Sequence, residues 1–472
     1  MSGSRSVWSS GWPRSRPWPG RPSGAVIQGP PVSRGPSLWP TPNPPSREPF
    51  AVSDSGAIDF NEIEGETELT PPETYAAQLI EWAAERNASD LFISDSERSV
   101  VVAVRRMGRV EIVRRLARQY GRYLQGHFRA ISDAGAGDLV HPAEGRASVV
   151  LSDRRSIDFR LSVIPTLYGH DVSVRLFDAE RGRVGIDALG MDDEEIATLK
   201  RLLGFPSGLI LVSGPVASGK TCTLYAAIRH LNDGSRKIHT IEDPVEYPLA
   251  GVHQSQTNQR AKLDFAELLV AVLRHSPDVI MIGEIRDSQI AATAVRAGAS
   301  GQLVLATVHA DSTAQAINVM RQYDVNPTFL ARTLVGVINQ RLIRRLCEEC
   351  REEIASGDEL VGNDAVRARL RGETPRLYRP VGGPQCSDSG YSSLTCLPEL
   401  MVITPEIEQG IIRGAGSAEL EELAVRAGML RMVDAAQVRI LRGITTPTEV
   451  CRELDAPELS HLVARARAAE SE

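Results

Sequence analysis

One stretch limits the possible folds more than anything else in the chain: LILVSGPVASGKTCTLYAAIRHL, residues 209–231. The apolar run 209–212 reads as a buried strand, and helical periodicity begins only after a glycine-bearing turn. Between them Gly214, Gly219, Lys220 and Thr221 satisfy the spacing G-x-x-x-x-G-K-[ST]. A loop of this kind needs glycine because its backbone must approach an anion closely. It needs the helix behind it because the unpaired N–H groups of the first turn and the helix dipole both favour negative charge. Lys220 has the reach for the β- and γ-phosphates of a nucleotide, and the Thr221 hydroxyl suits magnesium. Pro215, Ser218 and Cys222 complete the set expected to line the phosphates. The alternative is a glycine-rich turn with a solvated lysine, which the strand before and the helix after argue against.

Parallel α/β sheets present ligands at the carboxyl ends of their strands. Three further segments fit that rule. The apolar run 279–282 ends at Gly283-Glu284, so Glu284 is the candidate Walker B acid; a strand-end cap or an ion pair with Arg286 is the competing role. In HTIEDPVEYPL the acids Glu242 and Asp243 precede Pro244, which stops the strand, and either one of them activates water or both are merely solvated. His309 follows the apolar run 303–308, where a capping histidine is equally common. Taken together, two acidic strand ends and an imidazole beside one phosphate loop make a coherent site.

The 472 residues, 42% hydrophobic and 24% charged, suit two or three domains at roughly 100–200 residues each. A net charge of -7 gives no sign of a nucleic-acid-coating or strongly membrane-attracted surface. No apolar run approaches the roughly 18 residues that cross a bilayer, and the N-terminus lacks the pattern of a secretory signal. The expectation is an unexported, cytoplasmic chain. Residues 1–50 hold twelve of the 29 prolines and four of the five tryptophans without periodicity, so 1–70 reads as a low-complexity tail. A small α+β domain is expected over 71–180, a linker over 181–200, an α/β core over 201–346, a cysteine-bearing insertion over 347–400 and a helical subdomain over 401–472.

In order, GPVASGKTCTLYAAI, TIEDPVEYPLAGVHQSQTNQ, LRHSPDVIMIGEIRD and GQLVLATVHADS resemble the Walker A, Asp box, Walker B and His box of the type II secretion and type IV pilus assembly ATPases. The likeness runs from RNASDLFIS and RLSVIPTLYGHDVSVRLFD to LCEEC and GMLRMVDAAQVRILRGITTPTEV, about residues 75–455. It implies an α/β fold with a RecA-like P-loop NTPase core, a smaller N-terminal PAS-like domain and a C-terminal helical subdomain. It implies a homohexamer that hydrolyses ATP with magnesium and drives inner-membrane platform proteins, held peripherally at that membrane through its partners. By the same resemblance Glu242 orients the attacking water, Glu284 and Thr221 hold magnesium, His309 senses the γ-phosphate, and Arg160 and Arg175 reach nucleotide from the N-terminal domain. A pilus retraction ATPase and a non-catalytic nucleotide-binding scaffold are the alternatives. A DNA-translocating motor fits less well, because no basic domain or aromatic stacking cluster accompanies the core.

The chain departs from the family at three places. Ala217 stands where a loop glycine is usual, and strains the loop if the position requires positive φ. Gln302 replaces a second His-box histidine. Of the two C-x-x-C pairs that hold one zinc in assembly-type members, Cys347, Cys350 and Cys386 remain, while Gly383 takes the fourth place. Cys396, a nearby histidine or water is the candidate substitute ligand, and a zinc-free or partly degenerate subdomain is the alternative.

Overall fold

The computed structural model describes residues 50–51, 70–135, 140–178, 183–258 and 261–470. The tail read over 1–70 lies outside the described residues, apart from the short strand Phe50–Ala51 and residue 70.

The first domain is built on a seven-stranded sheet in the order Phe50–Ala51, Ala143–Val150, Ser156–Thr166, Gly169–Asp178, Ala88–Asp95, Ser99–Arg106, Arg109–Ala117. The helices Pro72–Glu85 and Arg118–Ile131 pack on one face of it. Strand Ser156–Thr166 shows why. Ile157, Phe159, Leu161 and Val163 alternate with polar residues, so one face joins Tyr75, Leu79 and Phe128 in the core while the other is left polar. That polar face carries a transverse row of charge. The register pairs Arg146 with Arg160, Arg160 with Arg175, Arg175 with Asp90 and Asp90 with Arg105, and laterally paired residues share a face. Two strands and a helix here, Ala88–Asp95, Arg109–Ala117 and Arg118–Ile131, are elements that the sequence reading did not place.

The second sheet has the order His253–Gln256, Ile238–Glu242, Val279–Ile282, Leu303–Val308, Gly208–Ser213, Leu334–Leu346, Tyr391–Val402, with only the last strand antiparallel to its neighbour. Its central strands are buried at every residue, as a parallel sheet covered by helices on both faces requires. Strand Tyr391–Val402 departs from the expected layout. Most of it was assigned to the cysteine-bearing insertion, yet it pairs with eleven residues of the core strand Leu334–Leu346. The segment expected as a linker, 181–200, likewise buries Ile186, Leu189 and Met191 against the core and starts the helix Asp193–Leu203. Asp192 and Glu195 form a capping box that fixes where that helix begins. Five helices follow from Pro405 to Glu470. No helix among the described residues is long and apolar enough to cross a membrane.

A buried ion pair joins this last region to the core: Arg439, on the helix Met432–Leu441, donates to Glu195 at 2.6 Å, with both side chains almost wholly enclosed. Removing one partner leaves the other charge dry, so Arg439→Ala should lower unfolding stability by about 3–5 kcal/mol. The paired change Glu195→Leu with Arg439→Met should recover most of that loss in the same denaturant titration. Equal loss in both would contradict this account.

Candidate nucleotide-binding and hydrolysis site

The phosphate loop leaves strand Gly208–Ser213 and enters the helix Lys220–Leu231. Gly214 has φ 142, and a Cβ there would lie 2.4 Å from the Gln340 carbonyl and 2.6 Å from Ser218 Oγ, so no other residue fits. Gly219 has φ 86. Ala217 has φ 63, which answers the question its presence raises: the loop does require positive φ there, and an alanine occupies the position. Lys220 Nζ donates to the carbonyls of Gly214 and Pro215, each at 2.8 Å, so the loop's own backbone holds the ammonium. Burial lowers the Lys220 pKa, and Glu284 opposes that shift. Ser218 Oγ is buried without a hydrogen-bond partner, and Gln340 Nε2 fixes the Ser218 carbonyl at 2.7 Å. A cradle with an orphaned hydroxyl and a tethered lysine suits an anionic ligand. The Cys222 side chain turns inward against the core, leaving its backbone at the helix start.

The sheet brings three further strand ends to this loop. Glu242 is 3% exposed and accepts from Tyr225 Oη, from Thr240 Oγ1 at 2.5 Å and from Gln254 Nε2 at 3.1 Å. Of the two acids in that turn it is therefore the anchored one, and Asp243, before a cis proline, is exposed. Glu284 meets Arg286 at 2.6 Å and His309 Nε2 at 2.8 Å, and Arg286 reaches on to Asp243 at 3.1 Å. The ion pair that competed with the Walker B reading of Glu284 is thus present, in the same place as the site. Burial raises the Glu246 pKa, and the neighbouring Thr221 hydroxyl is among the groups that oppose that shift.

From the N-terminal domain, Arg160 donates to the Val245 carbonyl at 3.1 Å, directly behind the acidic turn, and its guanidinium lies over Phe177. Arg175 stays within its own sheet, donating to Asp90 at 3.0 Å with a largely exposed side chain. Tyr225, Gln254 and Gln340 are the members that residue patterns did not reveal, whereas Arg286 was read as the competing partner of Glu284. Each is a partner of a predicted residue, and the signal was long-range. Gln302 lies at the amino end of strand Leu303–Val308, opposite His309, so its departure does not touch the site.

The cysteines separate. Cys347, Cys350 and Cys386 place their Sγ atoms within 4.8 Å of one another. Cys396 is not a fourth member: it sits on strand Tyr391–Val402 opposite Leu342, packed in the apolar core, where burial pushes its thiol up to about 12.

Fold and phosphate loop together define a P-loop core of RecA type. A family model described as "Type II/IV secretion system protein" matches residues 66–452, and the chain belongs to that family. It is 38% identical over 374 residues to the type II secretion system protein HxcR of Pseudomonas aeruginosa, covering 79% of this chain and 75% of that one. It is 33% identical over 410 residues to the type IV pilus assembly ATPase PilB of Thermus thermophilus, covering 84% and 45% respectively. In fold it resembles the ATPase DotB of Legionella pneumophila (TM-score 0.61, 18% identity, 83% of this chain and 97% of that one). It also resembles the pilus retraction motor PilT solved with ADP (TM-score 0.54, 24% identity, 81% and 97%).

Since a left-handed alanine costs about 1–2 kcal/mol against a glycine's smaller entropic penalty, Ala217→Gly should stabilise the chain by roughly 0.5 kcal/mol and tighten MgADP binding. Thermal unfolding with and without MgADP measures both. A loss of stability or affinity would show that the loop is not strained at Ala217.

Proposed function

We propose that this chain is an ATPase motor that works as a homohexamer and powers assembly of a type II secretion pseudopilus or a type IV pilus, held peripherally at the inner membrane by platform proteins. The observation that carries this reading is Glu242. A carboxylate fixed by three donors, at a strand end beside a phosphate loop, is preorganised to orient water against a phosphoryl group. MgATP is the substrate. The loop amides and Lys220 would bind its phosphates once the ammonium leaves the Gly214 and Pro215 carbonyls. Thr221 and Glu284 would face the magnesium, with Glu284 exchanging its protein partners to do so. His309, bonded to Glu284, would sense the γ-phosphate. Arg160 couples the N-terminal domain to the acidic turn, and Arg175 joins it when the domains close, adding fixed positive charge where negative charge develops.

We also propose zinc at Cys347, Cys350 and Cys386. Tetrahedral thiolates at about 2.3 Å from zinc lie about 3.8 Å apart, and Cys350 and Cys386 Sγ stand at 3.7 Å. Three ligands fit and a fourth does not, because Gly383 faces the open side: a Cβ built there would lie 3.7 Å from Cys350 Cβ. Its φ of 175 is extended backbone that any residue adopts.

With Glu242→Gln, steady-state phosphate release should fall about 100-fold or more while MgADP affinity stays near wild type. Tight nucleotide binding without turnover in any assembly state of the wild-type chain would sink the motor reading in favour of a scaffold. Gly383→Cys should complete the thiolate set and slow zinc loss to a competing chelator by at least about tenfold. Unchanged zinc release in that variant would remove position 383 from the site.

A further inference from the structure

A cleft of about 340 Å³ opens where the first domain meets the cysteine-bearing segment, and no residue of the phosphate loop lines it. Arg86, Asn87 and Arg106 line it from the first domain, and Gln385, Ser387 and Ser393 from the other side. All of these side chains carry hydrogen-bond donors, whereas among the described residues of the wall Glu85 is the one carboxylate. Arg106 is short of an acceptor. It is 9% exposed and pairs with Glu111 at 3.4 Å, yet its Nε has no hydrogen-bond partner among the described residues. A guanidinium carries several N–H donors, and buried donors nearly always find an acceptor, so this one lacks something that a ligand is able to supply. Arg86 is held loosely: its guanidinium lies 4.5 Å over the Trp82 ring and 3.9 Å from the Glu85 carboxylate.

The protein behind that wall supplies little spare negative charge. Arg344 lies 3.7 Å over the ring of Tyr391, another residue of the cleft, and bonds Glu449 at 2.5 Å. Arg109 and Arg452 approach the same carboxylate at 3.7 and 3.8 Å, and Glu453 meets Arg452 at 3.3 Å. Glu449 and Glu453 are thus shared among three arginines, and neither is left over for the cleft. We infer that the cleft binds the phosphate group of a small molecule. A tetrahedral oxyanion presents acceptors in several directions at once, which suits donors converging from two sides, and arginine matches it bidentately. The volume falls at the lower end of the range for ligand clefts, room for a phosphate ester of modest size. Bound there, the ester would bond the first domain to the segment that carries Cys386, which also lines the cleft.

The test is calorimetric titration with glycerol phosphate of the full chain carrying Lys220→Ala, which removes the lysine of the phosphate loop. Binding is expected, and adding Arg106→Gln should weaken it about tenfold or more, the loss of a charge-assisted hydrogen bond. Ser393→Asp serves where Arg106→Gln folds poorly: residue 393 is exposed, and a carboxylate there would take the guanidinium donors and weaken glycerol phosphate by a similar factor. Cosedimentation with phosphatidylglycerol vesicles separates the two sources of phosphate. Pelleting that is lost on Ser393→Asp assigns the phosphate to a lipid headgroup, whereas calorimetric binding without pelleting assigns it to a free ester. No binding of either probe, or binding undiminished in both variants, overturns the site.

Discussion

The site depends on one arginine that joins three strand ends. Arg286 bonds Glu284 on its own strand end and Asp243 on the neighbouring one, and Glu284 in turn holds His309 on a third. Strands Ile238–Glu242, Val279–Ile282 and Leu303–Val308 are adjacent in the sheet, so these contacts need no long side-chain excursion. Packing of the buried sheet sets the spacing, and the ionic net then fixes which oxygen and nitrogen atoms face the phosphate loop. Such a net also keeps the site's charges paired before nucleotide arrives. Lys220 rests on loop carbonyls and Glu284 on Arg286 and His309, so neither charge is left bare.

The N-terminal domain meets this net through the polar face of its sheet. Arg146, Arg160, Arg175 and Arg105 lie in one transverse row that also carries Asp90. Like charges placed laterally on a sheet repel, and Glu246 of the facing acidic turn offsets the charge of Arg160 and Arg175. Arg160 already reaches the turn after Glu242, while Arg175 remains on Asp90. The two arginines thus differ in this structure, one bonded to the loop that follows Glu242 and the other to its own sheet.

Local patterns revealed the loop, the strand ends and most of the helices because each rests on short-range physics: glycine conformational freedom, apolar runs long enough for one buried strand, and proline stops. Amphipathic elements in the first domain were missed where charge masked periodicity. Arg109–Ala117 is exposed over its first four residues, so its alternation is weak. Strand Tyr391–Val402 was misplaced because a run interrupted by Cys396 and Pro398 resembles a loop, and only its pairing with Leu334–Leu346 makes it core. The same pairing turns Cys396 away from the other thiols, a fact that cysteine spacing cannot contain. Tyr225 and Gln254 were invisible for a related reason: they matter through Glu242, and the turn that brings Gln254 back to it is tertiary.

On the proposed reading, phosphate loop and strand-end net form one nucleotide site whose resting contacts are exchanged for MgATP. The most direct measurement is a structure of the full chain with magnesium and a non-hydrolysable ATP analogue. The expected result is Lys220 Nζ moved from the Gly214 and Pro215 carbonyls onto the phosphates, Glu284 turned from Arg286 toward magnesium, and Glu242 unmoved in its three hydrogen bonds. Nucleotide bound with Lys220 and Glu284 still on their resting partners, or bound away from this loop, would contradict it.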